Sequence, residues 1–109
     1  MYVDVSSTIV HGPQNITVFS HSTVYFCCAS DEVRDIYWKY AAVANGSSVS
    51  VFDRRGRNEK LFDDRFVNVV NVTTNILTIS NVQQSDAGSY MCRESNSASY
   101  WSAHLTVIG

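Results

Sequence analysis

Residues 86–92 read Asp86-Ala87-Gly88-Ser89-Tyr90-Met91-Cys92, and the fold follows from how that stretch is read. From Gly88 onward the distinctive residues recur at every second position, so Tyr90 and Cys92 share one face of a β-strand. Gly88 stands where a corner enters the strand and the backbone needs room. A tyrosine two residues before a cysteine suits a corner in which the phenol hydroxyl bonds back to upstream backbone.

Working outward, Leu77 and Ile79 alternate into the core, Val82 follows them, and residues 83–87 fit one 3₁₀ turn. Beyond the strand lie a short polar loop at residues 94–99 and a last strand with Leu105 and Val107 inward. At the other end, residues 3–10 alternate only loosely, as an edge strand does. Gly12-Pro13 interrupts them, because proline brings no N–H to a ladder. Ile16 and Val18 then take one face and Asn15 and Thr17 the other. A first strand split into two parts, serving two sheets, is expected. In residues 23–29, Val24, Phe26 and Cys28 share one face, and Thr23, Tyr25 and Cys27 the other. The more apolar set is the core set, which turns Cys28 inward and Cys27 outward; a bulge would exchange them. After a polar loop at residues 30–35, Ile36, Trp38 and Tyr40 point one way and Tyr37 and Lys39 the other. Asn45-Gly46 is a hairpin turn signal, since both central residues of a type I′ turn need positive φ. Residues 48–52 read as a short strand. Residues 53–64 are densely charged and read as a solvated loop with an irregular edge strand. Residues 66–72 are β-rich, with Phe66 and Val70 expected inward. About nine short strands and no helical periodicity make the chain all-β.

The 109 residues suit one domain, residues 1–109. A net charge of −2 leaves no nucleic-acid footprint. No run approaches the roughly 20 apolar residues of a membrane span. Met1 is followed at once by polar, strand-like sequence, so no leader is visible; membrane attachment is expected only through an anchor outside these residues. With three cysteines, one disulfide and one thiol is the simplest arithmetic. His11, His21 and His104 are scattered and lack metal-ligand spacing, so neither metal nor cofactor is expected. There is no nucleophile–base pair, paired-carboxylate motif or phosphate loop, and an enzyme is not expected. Three sequons, starting at Asn15, Asn45 and Asn71, accompany the candidate disulfide and favour an extracellular place, at the cell surface or secreted.

The set Cys28, Trp38, Arg65, Leu77, Asp86, Gly88, Tyr90 and Cys92 spans most of the chain and resembles a variable-type (V-set) domain of the immunoglobulin superfamily. The resemblance implies a Greek-key sandwich of two antiparallel sheets and about nine strands. It implies a Cys28–Cys92 disulfide packed on Trp38, and a tyrosine corner at Tyr90. It also implies a salt bridge between Arg65 and Asp86, twenty-one residues apart, closing the bottom of the sandwich. A guanidinium that meets a carboxylate edge-on explains arginine there in place of lysine. The chain departs from antigen-receptor domains at Tyr100-Trp101-Ser102-Ala103-His104, where their Gly-x-Gly bulge is missing.

Domains that resemble this one mostly serve as recognition modules of immune-type or adhesion receptors, and fold alone does not fix the ligand. The expected partner is a protein, with a second copy of the domain among the candidates. The expected contact is the front sheet: Tyr37, Lys39, Phe52, Met91, Arg93 and His104, with Tyr100 at the rim, types that interfaces favour. The alternatives are a secreted or tethered binder of microbial or carbohydrate ligands through its loops, and a structural spacer. Asn15, Asn45 and Asn71 are expected at the surface, leaving the front sheet more open than the edges and the back.

Overall fold

A computed structural model describes residues 9–31, 35–42, 48–52, 64–71, 73–94 and 100–109. Nine strands occur among them: β1 (Ile9–His11), β2 (Ile16–Phe19), β3 (Val24–Ser30), β4 (Ile36–Ala42), β5 (Ser48–Phe52), β6 (Phe66–Asn71), β7 (Thr74–Ile79), β8 (Gly88–Glu94) and β9 (Trp101–Ile108). They form a four-stranded sheet, β1-β3-β7-β6, and a five-stranded sheet, β2-β9-β8-β4-β5. The expected strand at residues 3–8, the Asn45-Gly46 turn, the charged segment 53–63 and loop residues 95–99 lie outside the described residues.

Period-two alternation becomes burial. In β3 Val24, Phe26 and Cys28 are buried while Tyr25 is exposed; in β8 Gly88, Tyr90 and Cys92 are buried. The inner faces meet in one core with Trp38, Leu77, Ile79, Val82 and Leu105. Each such side chain, moved out of water, stabilises the sandwich by about 1.5–3 kcal/mol. A disulfide joins Cys28 to Cys92 across the sheets, and Cys27 is a half-buried free thiol.

The first strand does divide: β1 pairs with β3 in one sheet and β2 with β9 in the other. The β2–β9 pair is parallel, while the other strand pairs among the described residues are antiparallel. At the crossing Gly12 is buried under the indole of Trp101, where a Cβ would come within 2.5 Å of the ring. Trp101 shares the inward parity of Ala103 and Leu105, yet stays partly exposed as a cover over this end of the core. The segment without the Gly-x-Gly forms a regular strand: β8 and β9 pair without a register shift from Gly88↔Leu105 to Cys92↔Trp101.

Two expectations need correction. Val70 has inward parity but is exposed, because β6 is an edge strand and Val70 pairs with Asn75 near the end of the sandwich. Glu94, expected in a polar loop, is the last residue of β8, buried opposite Ile36.

Candidate functional site

The front sheet is held rigid from beneath. Trp38 lies directly opposite Cys92 on the neighbouring strand, so the tryptophan and the disulfide back the same part of the sheet. Lower down, a 3₁₀ turn (Gln84–Asp86) leads into β8. The hydroxyl of Tyr90 donates to the carbonyl of Asp86 at 2.6 Å, and its ring stacks on Phe26 at 5.1 Å. Tyr40 adds a second hook from β4, donating to the carbonyl of Ala87 at 2.7 Å. Burial, then the Asp86 carboxylate, push both phenols above their ordinary range, that of Tyr90 far above it. Asp86 receives Arg65 from two nitrogens, at 2.9 and 3.2 Å, and the backbone N–H of Gln83 at 2.7 Å. Gly88 then enters β8 at φ 144°, a region L-residues avoid, and its missing Cβ would lie 2.5 Å from the carbonyl oxygen of Ala41.

Above this base, the outward residues of β4 and β8 converge with Tyr100, which stands just before β9. Tyr37 and Arg93 are cross-strand partners on β4 and β8, as are Lys39 and Met91. The guanidinium of Arg93 lies 4.7 Å from the ring centre of Tyr37 and 5.5 Å from that of Tyr100. Lys39 also approaches Tyr100, its ammonium 5.7 Å from the ring centre. Each cation–π contact contributes about 0.5–1 kcal/mol at an exposed site. Burial pushes the Tyr100 phenol up, but Lys39 and Arg93 outweigh it and leave the phenol below its ordinary range. Two cations and two phenols thus form one braced cluster. His104 stands apart on β9, its ring 3.4 Å from the Ser89 hydroxyl, and its backbone N–H donates to the Asn15 side-chain oxygen at 2.8 Å.

The chain matches the family model for the Immunoglobulin V-set domain over residues 11–108, nearly its whole length. It belongs to the immunoglobulin V-set family. No curated protein matches it significantly.

V-set domains are recognition modules that generally bind protein partners, and this V-set domain carries the intersheet disulfide suited to an oxidising, extracellular or surface setting. Among the described residues, no helix is long and apolar enough to cross a membrane. Of the residues the sequence singles out on the front sheet, the V-set fold brings together Tyr37, Lys39, Met91, Arg93 and Tyr100. His104 faces the same way at a distance, beside a sequon. The side chain of Phe52 and all of Asn45 lie outside the described residues. Asn15 and Asn71 are exposed. Sequence reasoning missed the Tyr40 hook; its one signal is the parity that Tyr40 shares with Trp38. It missed the Asn15–His104 contact too, which joins residues 89 positions apart and leaves no local trace.

Proposed function

We propose that this V-set domain is an extracellular recognition module that binds a protein partner through the β4–β8 part of its front sheet, with Arg93 at the centre. The observation that carries the reading is the position of the Arg93 guanidinium between Tyr37 and Tyr100. A guanidinium already braced by two rings loses little freedom when a partner packs against it, and it keeps its positive charge at the face. Lys39 adds a second positive charge. Among the described outward residues of this sheet there is no acidic side chain, so an acidic patch on the partner fits the face. In a symmetric pairing of two copies, like charge would meet like charge. That favours a heterophilic partner over self-association.

A sugar on Asn15 would stand beside His104, which leaves Tyr37, Lys39, Met91, Arg93 and Tyr100 as the working surface. The test is a multimer of the domain applied to an array of purified ectodomains at two salt concentrations. Binding should concentrate on acidic ectodomains, weaken with salt, and be lost in Arg93→Glu and in the double variant Tyr37→Glu, Met91→Glu, with melting unchanged. Binding that survives both variants would place the contact on the loops. Light scattering should find a monomer across concentrations; a dimer abolished by the double variant would establish the homophilic form instead.

A further inference from the structure

The other sheet presents a face of opposite character. Its outward residues on β3, β7 and β6 form a grid in register: Tyr25–Thr78–Val67 in one row, Cys27–Ile76–Val69 in the next and Ala29–Thr74–Asn71 in the third. None of the nine is charged. Tyr25 is 64% exposed, Val67 47% and Val69 49%, with Cys27 and Ile76 half-buried between them. Strands about 4.8 Å apart and outward residues about 6.8 Å apart spread these positions over roughly 10 × 14 Å, before side-chain reach is added. Tyr25, Val67 and Val69 thus leave a small uncharged, largely apolar patch open on this face.

The third row carries the means of covering it. Asn71 opens the sequon Asn71-Val72-Thr73, is exposed, and ends β6 opposite Thr74. Two residues from Val69 on the same strand, it shares the outward face with Val69 and Val67. A sugar chain attached there starts on the face itself, one row from Val69, Ile76 and Cys27. Pyranose rings are amphipathic: their C–H faces pack on aliphatic and aromatic side chains while their hydroxyls stay in water. A second copy docked on this grid would collide with the same sugar. We infer that the chain's own N-linked glycan on Asn71 covers the outer face of the four-stranded sheet, its first sugars lying over the Val69–Ile76–Cys27 row and keeping that face from a second copy. This holds independently of the partner surface on the opposite sheet.

Cys27 reports on the cover, because a thiol reacts only as fast as the reagent can reach it. The experiment uses the domain secreted from eukaryotic cells and follows alkylation of Cys27 by a maleimide alongside light scattering. Asn71→Gln and Thr73→Ala each remove the glycan by a different route, and Asn15→Gln removes the one on the other sheet. The expected result is mass-spectrometric occupancy of Asn71, with Cys27 reacting severalfold faster in the two Asn71-sequon variants than in the parent. Those two variants should also self-associate, while Asn15→Gln behaves as the parent. If both variants fail to fold, an endoglycosidase that trims the folded parent to one sugar per site should still speed the thiol reaction. An unmodified Asn71, or a Cys27 rate indifferent to variant and trimming, overturns the inference.

Discussion

Replacing Arg65 by methionine keeps most of the side-chain volume and removes only the charge and its donors. Asp86 is 1% exposed, Arg65 20%. The guanidinium donates twice to the carboxylate, at 2.9 and 3.2 Å, and also to the carbonyls of Asn81, at 2.8 Å, and Ser80, at 3.4 Å. Without it, Asp86 keeps the Gln83 N–H but loses the guanidinium that faces its buried carboxylate. Breaking a buried pair by removing one partner costs about 3–5 kcal/mol. The partial exposure of Arg65 lets water reach the gap, so the lower end, about 3 kcal/mol, is expected. At roughly 4–8 °C per kcal/mol for a domain near 100 residues, the melting temperature should fall by roughly 12–24 °C. Denaturant melts of the parent, Arg65→Met, Asp86→Asn and the double variant form a cycle. The two single changes should share most of their cost, since residues in one network couple by about 0.5–3 kcal/mol. If Arg65→Met unfolds within about 0.5 kcal/mol of the parent, as ordinary surface changes do, the pair does not hold the corner together and the reasoning fails.

Replacing Cys28 and Cys92 together by alanine opens a loop whose ends are 64 residues apart, and should cost about 4 kcal/mol in the chain-entropy account; Cys27→Ser should leave the melt unchanged, and peptide mapping checks the pairing in each. Gly88→Ala meets both a positive φ and the backbone oxygen of Ala41, so a loss of at least about 1–3 kcal/mol is expected in urea melts. Gly12→Ala meets only the Trp101 side chain, at no positive φ and with no backbone atom in the way, so its loss should be the smaller of the two. Alkaline pH should unfold the domain. Tyr90 and Tyr40 are held above the ordinary phenol value of 10.0, so their contribution is full below that pH. It is lost as pH rises toward the folded values, because only the unfolded chain then releases those protons. Tyr100, held below 10.0, acts in the opposite sense and should be the first of the three to ionise in the folded domain. Absorbance near 295 nm during a pH titration separates the two: Tyr100 should titrate before unfolding and Tyr90 only with it.

What the sequence made legible is what obeys a local rule. Parity alone turned Val24, Phe26 and Cys28 inward and Tyr37, Met91 and Arg93 outward, because a buried sheet face tolerates no one-residue slip. The corner was legible because glycine, tyrosine and cysteine each meet a separate demand within five residues. Parity failed where the core runs out: Val70 and Trp101 point to the inner side but lie at an edge and at an end, so sidedness no longer means burial. The direction of β2 was not readable, since a strand alternates in the same way whether its neighbour runs parallel or antiparallel. The front-sheet residues could be named as a set. Their clustering around Arg93 could not, because it depends on side-chain directions across two strands and the residue that precedes a third. The burial of Glu94 escaped for a similar reason: a carboxylate after a strand reads as a loop until the neighbouring strand is in place.

On the proposed reading, the face around Arg93 meets the partner. Amide chemical shifts of the isotope-labelled domain, followed while an acidic ectodomain that binds it is titrated in, test this residue by residue. The largest shifts should fall at Tyr37, Lys39, Met91, Arg93 and Tyr100, with Tyr25, Val67 and Val69 unmoved. Shifts confined to the four-stranded sheet, or to the segments joining the strands, would contradict it.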